Sequence, residues 1–493
     1  MVSKRKSSVE VAIRVERHSL SAVVVTLLVL QLVLVLWRDP YFGNMDDAEF
    51  MREAQSYDPF ALARYYDGFG DSLIPERGFY RHSSFVLLNY LYLFGRRIGP
   101  LALHLGNSAI VILTVVLVAE SARRFSRTNS RSMSAIFVAA FFSWPYSAEL
   151  FMFPSLQQKV ILLGVAAVVG SLSLFRIRNA NLLACFFLFA SIFFAFGTKT
   201  QVVLFVPAIV YLIWILWWRG RMALLPTLFF IVMTIFLASV VAFAALQGSY
   251  TSGTREGSKD YAIAPFSDPR FGVLCLVVGG LGVSNLLRLR ERQTTGGAVK
   301  VETEVALSDT ERAFFLVGIT YLLAFFVWSM RNYYLAVVGV SFAFLVCAIV
   351  LRRSVRFRTL GFVSLLLFSC FNIVSRVIPA YDSYYSIREF LLSEEAREIS
   401  ESGGLVVLHQ LEAGVRFREY ASMLGAPNVD FVTAQSARGQ CGGQRAVFLM
   451  GDEIMSSLTD AQEDWGSELG VKVWDSKRYF GYEVWSTAPA DVC

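Results

Sequence analysis

The 493-residue sequence is 55% hydrophobic and only 17% charged, with a formal net charge of +6. Soluble domains carry about 25% charged residues. Here the apolar excess falls in blocks of about 16 to 24 residues, the length a helix needs to cross about 30 Å of hydrocarbon. The Arg residues sit in short loops between these blocks, which excludes a nucleic-acid-binding stripe and fits the loop bias of membrane proteins.

In chain order, the apolar blocks predict spans near 19–37, 100–119, 133–150, 155–175, 181–196, 200–218, 223–246, 269–287, 313–329, 332–351 and 359–378. Backbone groups find no water in lipid, so such blocks must be helices. The first block is too long for a signal-peptide core and has no small-residue cleavage site, so it is expected to stay as a helix. Lys4, Arg5, Lys6, Arg14 and Arg17 precede it. Arg123 and Arg124, Arg176 and Arg178, Arg219 and Arg221, Arg288 and Arg290, and Arg352 and Arg353 follow every second span. This alternation predicts a cytoplasmic N-terminus and an extracytoplasmic C-terminus in a multi-pass protein of the inner (plasma) membrane.

The apolar segment 84–94 is too short to span. A spanning helix there would also put every later basic loop outside, so an interfacial or re-entrant helix is expected. The first outside loop then covers 38–99. The polar, Gly/Thr-rich stretch 288–312 is expected to be a cytoplasmic linker. Composition shifts after residue 378, giving two domains: a membrane domain over 1–378 and an extracytoplasmic domain over 379–493. In the second, 403–410, 445–451, 471–475 and 481–486 are expected as strands, and 386–401 and 455–469 as helices, a small α/β domain. Cys185, Cys275, Cys347 and Cys370 lie in apolar blocks and are expected as small core hydrophobes. Cys441 and Cys493 fall in the C-terminal domain, where pairing is open.

Candidate chemistry gathers on the outside face. Asp46 and Asp47 are adjacent carboxylates shortly after the first span. Such a pair is costly at a membrane surface unless it meets water, a cation or a substrate. One carboxylate could accept a proton from an acceptor group while its neighbour positions that acceptor or binds a divalent cation. The alternative is a solvated loop that caps a short helix. Glu149, after Trp144-Pro145-Tyr146, is expected at the outer end of the third span, and Lys159 just inside the fourth. These two could pair to close a helical hairpin, and an ionisable group at this depth is also a functional candidate. Lys199, in the turn Gly197-Thr198-Lys199-Thr200, and Arg331, before Asn332-Tyr333-Tyr334, are cations suited to phosphate. Both have bland readings as well, a snorkelling lysine and an interfacial Tyr belt that includes Tyr333. Arg81 and His82 close the first loop; His82 titrates near neutrality, though a lone His is commonly structural.

These motifs together resemble those of GT-C-fold integral-membrane glycosyltransferases, the superfamily of protein O-mannosyltransferases and lipid A aminoarabinose transferase. Asp46-Asp47-Ala48-Glu49-Phe50 is similar to the acidic motif of their first outside loop. Leu103-His104-Leu105-Gly106-Asn107 resembles the entry to their second span. Pro145-Tyr146-Ser147-Ala148-Glu149 resembles a Pro-x-x-x-Glu turn, and Gly197-Thr198-Lys199-Thr200 a Ser-Lys-Glu turn in which Thr200 replaces the acid. The resemblance implies a GT-C-like fold, and with the eleven apolar blocks the expectation is a polytopic α-helical membrane protein of about eleven transmembrane helices. The resemblance also implies a sugar donor carried on a polyprenyl phosphate and an acceptor that is protein, lipid or glycan. It makes Asp46 the base or acceptor-orienting acid with Asp47 beside it, Glu149 a second acid, and Arg81, Lys159, Lys199 and Arg331 phosphate ligands.

Two alternatives stand beside this reading. A lipid-linked glycan transporter or flippase would place charge near the midplane and pair its halves; here the charges cluster at the outer edge. An O-antigen-type polymerase or ligase would centre on a later outside loop; here loop 247–268 is modest, though it holds Arg255, Lys259 and Asp260.

Overall fold

The computed structural model describes residues 2–38, 82–126, 132–175, 181–247, 309–327, 332–351 and 355–391, and beyond them Glu394, Arg397, Glu401 and five strands. The helices are α1 (Val2–Arg38), α2 (His82–Ile98), α3 (Pro100–Ser126), α4 (Ser132–Ser143), α5 (Glu149–Met152), α6 (Gln158–Leu174) and α7 (Asn181–Phe196). They continue as α8 (Val206–Trp218), α9 (Leu224–Gln247), α10 (Asp309–Val327), α11 (Gly339–Val350) and α12 (Val355–Leu391). Single 3-10 segments, Pro145–Ala148, Thr200–Phe205 and Asn332–Val338, precede α5, α8 and α11. The predicted span 269–287 and most of the linker 288–312 lie outside the described residues.

The chain is a multi-pass membrane protein. Among the described residues, five helices are long and apolar enough to cross a membrane, and a sixth span is formed if α4 and the segment after it count as one broken crossing. Large apolar side chains stand exposed along α1 (Val25, Val29, Val33), α7 (Phe186, Phe189, Phe193), α9 (Phe229, Phe236, Phe243) and α12 (Leu360, Leu367, Phe371). Water would penalise such stripes by about 25 cal/mol per Å²; hydrocarbon does not. Inside this ring, α4 is buried along its whole length and α6 along most of it.

Small residues let these helices approach where no hydrophobic force drives them together. A Cβ on Gly164 of α6 would lie 2.8 Å from the Cα of Ala195 on α7, and one on Gly318 of α10 would lie 2.9 Å from the Ser341 Cβ on α11. Further along the first pair, the Ser171 and Ser191 hydroxyls bond at 2.8 Å. Thus α6 and α7 are antiparallel. Contacts of Asn107 with Lys159 and of Gly170 with Ser121 make α3 and α6 parallel.

The helix ends therefore sort into two faces. On one, Arg123 and Arg124 close α3, and Arg219 after α8 forms an ion pair with Asp309 at the start of α10. On the other lie the helix break after α4, the turn after α7 and the 3-10 segment before α11. The helix foreseen in 84–94 is α2, and it starts and ends near this second face. Its first turn docks on the α7 turn, where the Ser83 N–H donates to Gly197 O at 2.9 Å and Ser84 Oγ to Thr198 O at 2.7 Å. Its end reverses at Gly99, whose φ of +127° suits glycine, and it packs back along α3 through Gly95 and Gly106. Hence α2 leaves the direction of later helices unchanged.

One expected span needs correction. The expected span 133–150 is not one helix: it ends at Ser143, and the segment Pro145–Met152 turns away by 87°. A residue before proline is driven out of the α region, and Trp144 is extended at φ −67°, ψ 126°. The expected spans 200–218 and 332–351 open as 3-10 turns. The composition shift at 378/379 marks the end of the apolar run and not of the helix, since α12 continues to Leu391.

The strands are β1 (Leu405–Leu408), β2 (Asp430–Thr433), β3 (Ala446–Gly451), β4 (Val473–Tyr479) and β5 (Tyr482–Thr487), in the order β2-β1-β3-β5-β4. The pairs β2–β1 and β1–β3 are parallel; β3–β5 and β5–β4 are antiparallel. β1, β3 and β5 fall on expected strand segments, and β4 overlaps the end of the expected strand 471–475 and runs on to Tyr479. The run DFVT of β2 is too short and too polar at its start to stand out. The helix expected at 455–469 lies outside the described residues, as do Cys275, Cys441 and Cys493. Cys347 is buried, and Cys185 and Cys370 are part-exposed free thiols.

If the α6–α7 contact sets the bundle, Gly164→Val should cost about 1–3 kcal/mol from overpacking. This would appear as a lower melting temperature in detergent. Gly170→Ala should be milder, because its Cβ would meet only the Ser121 hydroxyl, at 3.2 Å.

Candidate functional site

The break after α4 is the best-defined polar feature of the second face. A helix that stops inside an apolar bundle leaves its last carbonyls without partners, and each costs free energy unless it is satisfied. Here the carbonyls approaching the break find donors. Ala139 O accepts from Ser369 Oγ at 2.6 Å and Ala140 O from Ser143 Oγ at 2.7 Å. Phe141 O accepts from the Trp144 N–H at 3.1 Å, and Phe142 O from Asn372 Nδ2 at 2.9 Å. The same Asn372 amide also reaches Trp144 O at 2.9 Å. Ser369 and Asn372 are three residues apart on α12, so they share a helix face.

One turn further along that face is Arg376. Its guanidinium carbon lies 5.8 Å from the centre of the Tyr146 ring, and its charge acts on the Glu149 carboxylate. Glu149 opens the one-turn helix α5, and its Oε2 is buried with no hydrogen-bond partner among the described residues. A buried carboxylate without a donor is costly. The Arg376 charge offsets part of that cost.

A second layer fixes α5. Asn107 Nδ2 donates to Leu150 O at 2.9 Å and Phe151 O at 3.2 Å, and Asn107 Oδ1 accepts from Lys159 Nζ at 2.5 Å. The Lys159 ammonium also donates to Pro154 O. Lys159 is 0% exposed. The ion pair considered between Glu149 and Lys159 is therefore not what holds this hairpin: the ammonium goes to Asn107 and Pro154.

The other sequence candidates gather at the same face to different extents. Trp144 Nε1 donates to Leu335 O at 2.8 Å, so the 3-10 segment just after Arg331 rests on the break. α6 packs against both that segment and Thr200–Phe205, which follows Lys199. Lys199 is part-exposed at the cap of Thr200–Phe205, in a turn bonded to the start of α2. Arg81, Arg331, Asp46 and Asp47 lie outside the described residues, as do the side chains of His82 and Tyr333. So does any cation site at Asp46 and Asp47; among the described residues no cluster of three His, Cys, Asp or Glu groups could hold a metal.

Sequence reasoning missed Arg376, Asn372 and the link from Asn107 to Lys159. It also missed several amide atoms that are buried without partners among the described residues: Gln157 Oε1, Gln201 Oε1, Asn372 Oδ1 and both polar atoms of Gln158. The signal was present, since isolated polar residues in apolar runs mark function or helix contacts in membranes.

No protein-family model matches this sequence, and no curated protein does either. Solved structures do match. The crystal structure of ArnT from Cupriavidus metallidurans in the apo state aligns with a TM-score of 0.53 at 13% identity, covering 96% of this chain and 98% of that one. The same enzyme bound to undecaprenyl phosphate aligns with a TM-score of 0.52 at 13% identity and the same coverage. The chain has the GT-C fold. At this identity the likeness establishes the fold alone, but it spans both chains almost end to end.

Removing the Asn372 amide should strand Phe142 O, while Trp144 O keeps the Ser147 N–H and hydroxyl donors. Asn372→Leu is expected to cost about 1–3 kcal/mol, measured by unfolding in detergent. Wild-type stability in that variant would show that the break is held by other groups.

Proposed function

We propose that the protein is a membrane glycosyltransferase that moves a sugar from a polyprenyl-phosphate donor to an acceptor on the extracytoplasmic side. The observation that carries this reading is the buried, unpartnered Glu149 oxygen beside Arg376, at a break in the central helix of a GT-C bundle. Undecaprenyl phosphate bound to a protein of the same fold supports the donor class. The basic loops of the sequence support the orientation, with the face of Arg123 and Arg219 cytoplasmic, and its eleven apolar blocks support about eleven spans in all. The C-terminal strands support an extracytoplasmic α/β domain.

The reaction is displacement at the anomeric carbon. An acceptor oxygen or nitrogen forms the new bond, the bond to phosphate oxygen breaks, and the phosphate keeps the electron pair. The acceptor proton passes to a carboxylate. Asp46 is assigned that role, with Asp47 orienting the acceptor or holding a divalent cation, and Glu149 is the second acid. Cations then stabilise the leaving phosphate: Arg376 from the structure, and Lys199, Arg331 and Arg81 from the sequence. His82 and Tyr333 are assigned to the same substrate loops. The unpartnered amides of Gln158 and Gln201 suit sugar hydroxyls, which both donate and accept. Of the sequence-assigned ligands, Lys159 fits worst, because its ammonium is already engaged.

The test is transfer by the purified protein in nanodiscs from polyprenyl-phosphate-linked sugars, followed by chromatography of the lipid product. Asp46→Asn is expected to abolish transfer while leaving expression and folding normal. Glu149→Gln should lower kcat by about a hundredfold, the scale of one positioned acid or base. Arg376→Gln should raise the donor KM by about tenfold or more, the scale of a lost charge-assisted contact. Full activity in the Asp46 and Glu149 variants would refute the assignment.

A further inference from the structure

Resting on that reading, we infer that Asn107 and Lys159 are positioning residues, a buried relay that aims the Glu149 carboxylate by gripping the one-turn helix that carries it. A single helical turn is not stable by itself, because nucleation fixes several residues for one hydrogen bond. α5 has four residues, and Ala148 at its N-cap offers no side-chain bond. It needs an external grip, and the Asn107 amide supplies it at the Leu150 and Phe151 carbonyls.

An Asn side chain could face those carbonyls with either end. Only the nitrogen end binds them, and the Lys159 ammonium selects it. An ammonium donates and never accepts, so it holds Oδ1 toward itself and leaves Nδ2 for the carbonyls. The same ammonium binds Pro154 O in the segment that leaves α5, so one charge fixes both the helix and its exit. Burying a lysine this completely is a poor way to gain stability, since an apolar residue of similar volume commonly does as well or better. Its use lies in orientation.

The full-length protein in nanodiscs decides the matter with two readouts: donor kinetics, and the rate at which dicyclohexylcarbodiimide modifies Glu149, followed by mass spectrometry. Asn107→Asp keeps the partner of Lys159 but removes the donors to α5; Lys159→Met keeps those donors but removes the ammonium. Each is expected to lower kcat about tenfold or more with the donor KM within about threefold, the split that marks lost transition-state alignment. The double variant should be no worse than either single by more than about twofold, because the two residues act as one unit. Both variants should change Glu149 labelling by about fivefold or more, because its carboxyl is no longer held. A Lys159→Met protein with a tenfold higher KM, intact kcat and a silent Asn107→Asp partner would make Lys159 a phosphate ligand and overturn the relay. Unchanged labelling in both variants would overturn it too. Labelling needs no substrate, so it decides the relay even if the wild type transfers no sugar, a result that would sink the proposed function alone.

Discussion

An interrupted backbone inside a membrane bundle must find hydrogen bonds within the protein, and that constraint shapes this molecule. α4 sits at the centre and stops at Ser143, where Trp144-Pro145 cannot continue it. The carbonyls of Ala139, Ala140, Phe141 and Phe142 near its end are met by two serine hydroxyls, one backbone N–H and the Asn372 amide. Two of these donors come from α12. The face of α12 that completes the break is also the face that brings Arg376 to Tyr146 and Glu149. Structural necessity and candidate chemistry thus share one stripe of side chains.

The same logic extends outward. Glu149 stands on a helix too short to hold itself, so its place is borrowed from α3 and α6 through Asn107 and Lys159. The 3-10 segment after Arg331 leans on Trp144, and the Lys199 turn clasps the start of α2. Each irregular connection of the second face is thus tied to another. Irregular backbone is tolerated at membrane depth where protein covers it or where it lines a polar cavity. A face made largely of such connections is the natural location for a site that admits a charged headgroup from one side and an acceptor from the other.

Much of the fold was legible in the sequence because hydrophobic length is a direct readout of bilayer thickness. The helices found at 100–126, 158–174, 181–196, 224–247 and 309–327 match expected spans closely, and α1 contains the expected span 19–37. Breaks were less legible, because an average over an apolar window does not feel a single Pro. Trp144-Pro145 stands out as a motif, yet the apolar run 133–150 continues through it unbroken in composition. The site divides the same way. Glu149 was found by its charge against an apolar background. Arg376 and Asn372 were hidden in the last apolar block, and their meaning depends on residues about 230 positions away. Lys159 stood out by its charge as Glu149 did, whereas its bonds to Asn107 and Pro154 could not be read from the sequence.

The central claim is that the broken face around Glu149 and Arg376 receives an anionic lipid headgroup. Its most direct measurement is a cryo-electron microscopy structure of the full-length protein in nanodiscs with undecaprenyl phosphate. The account predicts phosphate density on the second face, within reach of the Arg376 guanidinium, with the polyprenyl chain leaving between helices. Phosphate density on the arginine face, or a Glu149 and Arg376 pair sealed in dry packing while the lipid binds elsewhere, would contradict it.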